Sequence, residues 1–175
     1  DFVVNLQGDA PFTPVSHITA LIQARATTVS DVVTVVVPLT WEALDTLRTN
    51  KQSTPFSGTT CIRQTDGQAL WFSKNIIPAI RKEDDLRRES PISPVFQHIW
   101  LYGYDRAALE RFAGLPLGHY EALEGLEQLR FLENGMTIHA EIVELPAFSS
   151  GGIDTEQDIA RVEADIAGFG DPHGE

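Results

Sequence analysis

The sequence predicts an α/β fold, a three-layer sandwich in which helices cover both faces of a mixed, mostly parallel sheet. Residues 31–37 form a β-branched run that ends at Pro38, which is typical of a buried strand. Strand-like and helix-like segments alternate along most of the chain, as expected for an α/β protein. One excursion interrupts this alternation, because Asp66-Gly67 between two short strand-like segments predicts a β-hairpin.

The individual elements follow from local patterns. Apolar residues at helical spacing predict a helix over 15–26, and Pro14 suits its first turn. Thr40 is a favourable N-cap for a short helix. Leucines at every third position predict one long helix over 120–134. The remaining predicted elements are strands over 2–6, 59–63, 69–73, 97–104 and 137–144, a helix over 105–112, a helix that begins at Asp154, and a solvated loop or short helix over 81–89.

The 175 residues suit one domain, which we place over 1–168. Residues 53–95 form the excursion and are a possible dimerisation element. Residues 169–175 are predicted to be a flexible tail. The chain begins inside a strand-like run without an initiator Met, so we expect further residues upstream.

Charge and cysteine content limit the possible partners and the compartment. The chain carries 25 acidic and 13 basic residues, a net charge of -12, which disfavours nucleic acid and anionic lipid as partners. A sequence without an apolar run of about 18 residues predicts no membrane span. Cys61 is the single cysteine and cannot form an intramolecular disulfide, so a cytoplasmic protein is expected.

Two acidic loops near the ends of the chain carry the strongest chemical signal. Asp9 follows a short apolar strand and Gly8, and Asp154 follows a glycine pair and opens a helix. Two such carboxylates can converge and hold a divalent cation such as Mg²⁺ against a polyphosphate, which indicates nucleotidyl transfer. The alternatives are a turn aspartate at position 9 and a simple helix N-cap at position 154.

Five segments resemble the 3-deoxy-manno-octulosonate (Kdo) cytidylyltransferases, also called CMP-Kdo synthetases. Their order and rough spacing agree with the family, and the likeness covers nearly the whole chain. The pairing of YGY with LEQLR is the most specific part, whereas QGD is shared with other sugar nucleotidyltransferases. The segments are VNLQGD at 4–9, LWFSKNIIP at 70–78, HIWLYGY at 98–104, LEGLEQLR at 123–130 and GIDTEQDI at 152–159.

This resemblance implies a fold like that of the nucleotide-diphospho-sugar transferases. It also implies attack by the Kdo anomeric hydroxyl on the α-phosphate of CTP, giving CMP-Kdo and pyrophosphate for lipopolysaccharide synthesis. A homodimer is the implied assembly. By the same resemblance, Asp9 and Asp154 are the catalytic residues that ligate Mg²⁺, and the substrate-binding residues are Gln7, His98, Tyr102, Glu127 and Gln128.

The chain also departs from the family pattern. Ala10, Asp105, Trp100 and Lys74 replace the residue types usual at their positions, Lys74 standing in place of an arginine. The family's N-terminal third, with its phosphate loop and cytosine-reading segment, is absent from this sequence. The resemblance therefore implies that this chain alone binds CTP poorly and is inactive.

Two other functions remain open from the sequence. The chain could be a non-catalytic module for sugar-acid binding or dimerisation, or it could belong to a sialic-acid cytidylyltransferase. Individual residues also allow simpler interpretations. Glu127 could lie on a solvated helix face, and His98 could be a hydrogen-bonded histidine of the core.

Overall fold

The computed structural model describes residues 1–8, 10, 12–145 and 156–169. Within these residues a sheet is combined with helices that precede and follow its strands. The strands are β1 (Phe2–Leu6), β2 (Val32–Thr40), β3 (Thr60–Arg63), β4 (Ala69–Ser73), β5 (Ile92–Asp105) and β6 (Ile138–Ile142). The helices are α1 (Val15–Thr27), α2 (Trp41–Ser53), α3 (Glu83–Glu89), α4 (Arg106–Ala113), α5 (His119–Glu124), α6 (Gln128–Glu133) and α7 (Glu156–Phe169).

The long strand β5 organises the sheet. The strand order is β4-β3-β5-β2-β6, and β1 pairs with β5 outside this path. Because β2 occupies one edge of β5, β1 and β3 share the other edge, β3 beside its first half and β1 beside its second half.

The predicted α/β fold with a mixed sheet is confirmed, but antiparallel pairing predominates where mostly parallel pairing was expected. Among the described strands, β2 and β6 pair in parallel, while β5 runs antiparallel to β1, β2 and β3, and β3 to β4. The alternation of strands and helices in a sequence does not reveal the direction in which each strand runs. In this sheet β5 follows the β3–β4 hairpin and runs antiparallel to β3.

Helices cover both faces of the sheet, which confirms the three layers. Val33, Val35 and Val37 of β2 pack with α1 and α2, whereas Val32 and Val36 pack toward α4 and α6. This alternation follows from the two-residue period of a strand that is buried on both faces. Each fully buried aliphatic side chain contributes about 1.5–3 kcal/mol.

Local signals for helix and hairpin boundaries are also confirmed. The Ala43 amide donates to the Thr40 hydroxyl at 3.1 Å, so Thr40 is the N-cap of α2. The β3–β4 hairpin turns at Gly67, whose φ of +98° suits glycine. Residues 81–89 contain the short helix α3.

The predicted long helix over 120–134 is wrong, because the chain breaks between α5 and α6. Gly125 adopts a φ of +64° and ends α5, and Leu123 is 67% exposed instead of buried. An ion pair between the buried Glu121 and the half-buried Arg130 spans the break: the Arg130 guanidinium donates to both carboxylate oxygens of Glu121. Glu121 also accepts from the Gly118 amide at 2.9 Å.

The predicted tail falls beyond the described chain except for Phe169, the last residue of α7. The domain limits 1–168 and the dimerisation role of 53–95 stay predictions. Within the described residues, the search for a helix of sufficient length and hydropathy to cross a membrane finds none.

Candidate functional site

Aromatic side chains line the face of β5 that packs toward α6. The rings of His98 and Tyr102 lie 5.2 Å apart between centroids, and those of Tyr102 and Tyr104 lie 5.7 Å apart. The row continues at one end to Phe131 of α6, 5.8 Å from Tyr104, and at the other to Trp100, 5.4 Å from His98. These contacts place two predicted substrate-binding residues, His98 and Tyr102, side by side.

His98 is held by a buried hydroxyl. Its Nε2 lies 2.9 Å from Thr34 Oγ1, and the same hydroxyl donates to the Leu101 carbonyl at 2.8 Å. Because that hydroxyl has one proton, Nε2 donates to Thr34 and Nδ1 is left as an acceptor. Among the described residues Nδ1 has no hydrogen-bond partner, although His98 is 2% exposed. His98 is therefore a core histidine, and within the described part of the chain one of its ring nitrogens is unused.

The electrostatic environment keeps His98 neutral. Burial, helped by the positive charge of Lys74, lowers the pKa of His98 to about 3. A neutral imidazole can accept or donate a hydrogen bond at physiological pH but does not act as a cation there.

The two tyrosines keep their protons. Burial raises the pKa of Tyr104 to about 12, and the Glu127 carboxylate adds to this effect. Burial and then the neighbouring Tyr104 and Glu127 also raise the pKa of Tyr102 well above its usual value. Asn5 of β1 hydrogen-bonds Tyr104. Glu127 itself is exposed, so it lies at the edge of the row with its charge close to both hydroxyls.

Gln128 is the most unusual polar group of the site. It is the first residue of α6 and is 1% exposed, yet neither its amide nitrogen nor its amide oxygen has a partner among the described residues. A buried amide without hydrogen bonds costs about 1–3 kcal/mol. A ligand or another part of the chain that supplies those bonds would recover this free energy.

Lys74 provides positive charge beside His98. Its ammonium lies 5.0 Å from the centre of the Trp100 ring. Its backbone amide donates to Glu124 at 2.7 Å, and Ser73 donates to the other oxygen of Glu124 at 2.8 Å. Burial lowers the pKa of Lys74, while Glu124 opposes this shift. Sequence reasoning noted Lys74 as a replacement for arginine but did not select it as a site residue.

Asp105 has a structural role. Its carboxylate receives two hydrogen bonds from Arg25 of α1, Nε to Oδ1 at 3.0 Å and Nη2 to Oδ2 at 2.9 Å. The acidic residue after YGY therefore ties the end of β5 to the helix layer on the opposite face.

The remaining predicted site residues lie at or beyond the limits of the described chain. Gln7 is half-buried directly after β1, two residues beyond Asn5. Asp9 and Asp154 lie outside the described residues, so their convergence stays a prediction. Within the described part, no group of three or more histidine, cysteine, aspartate or glutamate side chains is arranged to hold a metal ion.

Comparison with known proteins gives a consistent result. The cytidylyltransferase family model matches residues 1–138. A 3-deoxy-manno-octulosonate cytidylyltransferase from Maricaulis maris is 37% identical over 172 residues, covering 98% of this chain and 64% of the relative. The same enzyme from Acidobacterium capsulatum is 37% identical over 163 residues, covering 93% of this chain and 59% of the relative.

A solved structure of CMP:2-keto-3-deoxy-manno-octonic acid synthetase complexed with CTP superimposes with a TM-score of 0.77 at 26% identity. The match covers 96% of this chain and 62% of that structure. The chain thus spans about three fifths of the length of these relatives.

Proposed function

Because the chain belongs to the cytidylyltransferase family, we propose that it carries the sugar-acid site of a 3-deoxy-manno-octulosonate cytidylyltransferase. The reaction joins the anomeric oxygen of Kdo to the α-phosphorus of CTP and releases pyrophosphate. The names of the matched relatives favour Kdo over sialic acid. The observation that carries the proposal is the buried Gln128 amide, which has no hydrogen-bond partner among the described residues and belongs to α6, the helix whose Phe131 stacks on Tyr104 of the aromatic row.

The described residues offer groups that complement a sugar acid, which combines one carboxylate with several hydroxyls. Lys74 supplies the cation for the carboxylate. Gln128 and the free Nδ1 of His98 supply hydrogen bonds for hydroxyls, since each is buried and lacks a partner among the described residues. The Tyr102 hydroxyl stays protonated, and Glu127 can accept a hydrogen bond at the rim. Gln7 completes this set at the end of β1.

Asp9 and Asp154 are the proposed ligands of Mg²⁺. Two carboxylates are oxygen donors of the kind Mg²⁺ prefers, and the acidic chain needs positive charge to accept a triphosphate. Bound there, Mg²⁺ would neutralise charge that develops on the transferred phosphate. The chain's own residues orient the sugar acid for in-line attack.

A homodimer and a cytoplasmic location complete the proposal. Exposed apolar side chains of β4 and α5 support the dimer: Leu70 is 49% exposed, and Tyr120, which is 47% exposed, packs edge-on against Trp71. The single buried thiol of Cys61 supports a reducing compartment.

The proposal is tested by pyrophosphate release from CTP and Kdo by the protein that carries this chain. We expect release in Mg²⁺ and none after chelation. Asp9→Asn and Asp154→Asn should each abolish turnover without unfolding the protein, whereas Asp84→Asn, on the exposed side of α3, should not change it. Wild-type turnover by Asp154→Asn would show that the metal assignment is wrong, and a lack of any product from Kdo would refute the proposed reaction.

A further inference from the structure

Lys51, in the last turn of α2, is surrounded by backbone carbonyl oxygens. Its Nζ donates to the carbonyls of Pro55 at 3.3 Å, Gly58 at 3.1 Å and Lys74 at 2.5 Å, and also to that of Ser57. An ammonium has three N–H bonds, which these four oxygens share. The side chain is half-buried, and burial lowers its pKa. Lys51 thus occupies a carbonyl cage of the kind that coordinates small monovalent cations.

One oxygen of this cage belongs to Lys74, and this connects the cage to the site. The Lys74 carbonyl is held by Lys51, and the Lys74 amide is held by Glu124 at 2.7 Å. The peptide groups on both sides of Lys74 are therefore fixed by charged side chains from two different helices. Such bonds are stronger than neutral ones, so the backbone from which the Lys74 side chain extends is well defined.

We propose that Lys51 is a positioning residue, whose ammonium fixes the Lys74 carbonyl against loop 54–58 and so holds the Lys74 ammonium where the substrate carboxylate binds. This inference rests on the proposed function. Without Lys51, no hydrogen-bond donor lies between the cage oxygens, and their like partial charges repel one another. The loop and the Lys74 carbonyl then move apart, and the Lys74 side chain loses its fixed approach past Trp100 toward His98.

The test measures equilibrium binding of Kdo by titration calorimetry. Lys51→Ala should weaken binding about tenfold, the size of effect expected when one charged hydrogen bond is lost. Lys74→Met should weaken it at least as much. The double variant should bind no more weakly than Lys74→Met alone, because Lys51 acts through Lys74. Arg81→Gln, which removes an exposed positive charge beyond the site, should bind as the wild type does.

Chemical rescue separates positioning from general stability. Ammonium or methylammonium ions, which carry N–H donors and fit the vacated cage, should restore Kdo binding to Lys51→Ala. Tetramethylammonium, which has no N–H, should not restore it. If Lys51→Ala does not fold, Lys51→Gln takes its place in the binding measurements, with the same expected loss of Kdo affinity. Rescue by added cations is not expected for Lys51→Gln, because the glutamine side chain occupies the cage.

Two results would overturn the inference: Kdo affinity of the folded Lys51 variant equal to that of the wild type, or additive losses in the double variant. Failure of the proposed function has a different signature, since the wild-type protein itself would then not bind Kdo.

Discussion

The contact between Thr34 and His98 gives the sharpest prediction about the stability of the site. Thr34→Val replaces a completely buried hydroxyl by a methyl group of similar size, so packing is retained. The change removes the 2.9 Å bond to His98 Nε2 and the 2.8 Å bond to the Leu101 carbonyl. Two buried groups then lose their partner, and at about 1–2 kcal/mol each the loss is about 2–4 kcal/mol.

Thr34→Ser is the matched control. It keeps the hydroxyl and removes one buried methyl group, which costs about 1 kcal/mol. Urea unfolding followed by tryptophan fluorescence gives the free energy of unfolding of both variants. We expect Thr34→Val to be the less stable of the two and to bind Kdo more weakly, because the His98 ring is no longer held. The reasoning is refuted if Thr34→Val is as stable as Thr34→Ser.

Three further predictions concern other parts of the chain. Gly125→Ala and Gly135→Ala both place alanine at a positive φ, +64° and +68°, with open space around the new methyl group, so each variant should lose about 1 kcal/mol of unfolding free energy. Only Gly125→Ala should also weaken Kdo binding in calorimetry, because Gly125 lies between Glu124 and Gln128. Burial raises the pKa of the Cys61 thiol to about 12, so a thiol reagent should leave Cys61 unmodified in the native protein and modify it in urea. If Cys61 of the native protein reacts as fast as an exposed thiol, its burial is contradicted. Hydrogen bonds from Arg48 and Arg87 lower the pKa of Glu83 from 4.5 to about 2, so the stabilisation from these ion pairs is present above pH 4.5 and is lost as the pH falls toward 2. The free energy of unfolding in urea should therefore depend less on pH across this window in Glu83→Gln than in the wild type. An equal pH dependence in both proteins would show that these ion pairs contribute nothing to stability.

Patterns that involve only neighbouring residues were sufficient for most of the fold. The valine run of β2, the Thr40 cap and the Asp66-Gly67 turn each report a local preference that the tertiary structure does not oppose. The direction of β5 could not be predicted in this way. It depends on which strand edges are free after the hairpin forms, a property of the assembled sheet.

The break between α5 and α6 shows why the leucine pattern failed. Spacing by three residues is compatible with a helix, and a single glycine is tolerated within one. The Glu121–Arg130 ion pair and the left-handed conformation of Gly125 together select two short helices. Neither partner of such a pair is identifiable from periodicity, since both residues are usually exposed.

The sequence motifs selected candidate residues for the site but not the contacts that these residues make, and their roles in substrate binding stay predictions. Motif likeness selected His98, Tyr102, Glu127 and Gln128, and the structure places His98 beside Tyr102 and Glu127 close to Tyr102. The motifs do not indicate that Thr34 orients His98, because Thr34 lies on β2, outside the motifs, and meets His98 only through the pairing of β2 with β5. The pairing of Asp9 with Asp154 stays a prediction.

The central claim is that the protein containing this chain activates Kdo with CTP, and ³¹P NMR of the complete reaction tests it most directly. With CTP, Mg²⁺ and Kdo we expect the phosphodiester signal of CMP-Kdo to grow in step with pyrophosphate, and sialic acid in place of Kdo should give neither signal. Absence of the phosphodiester signal with Kdo, or its equal appearance with sialic acid, would contradict the account.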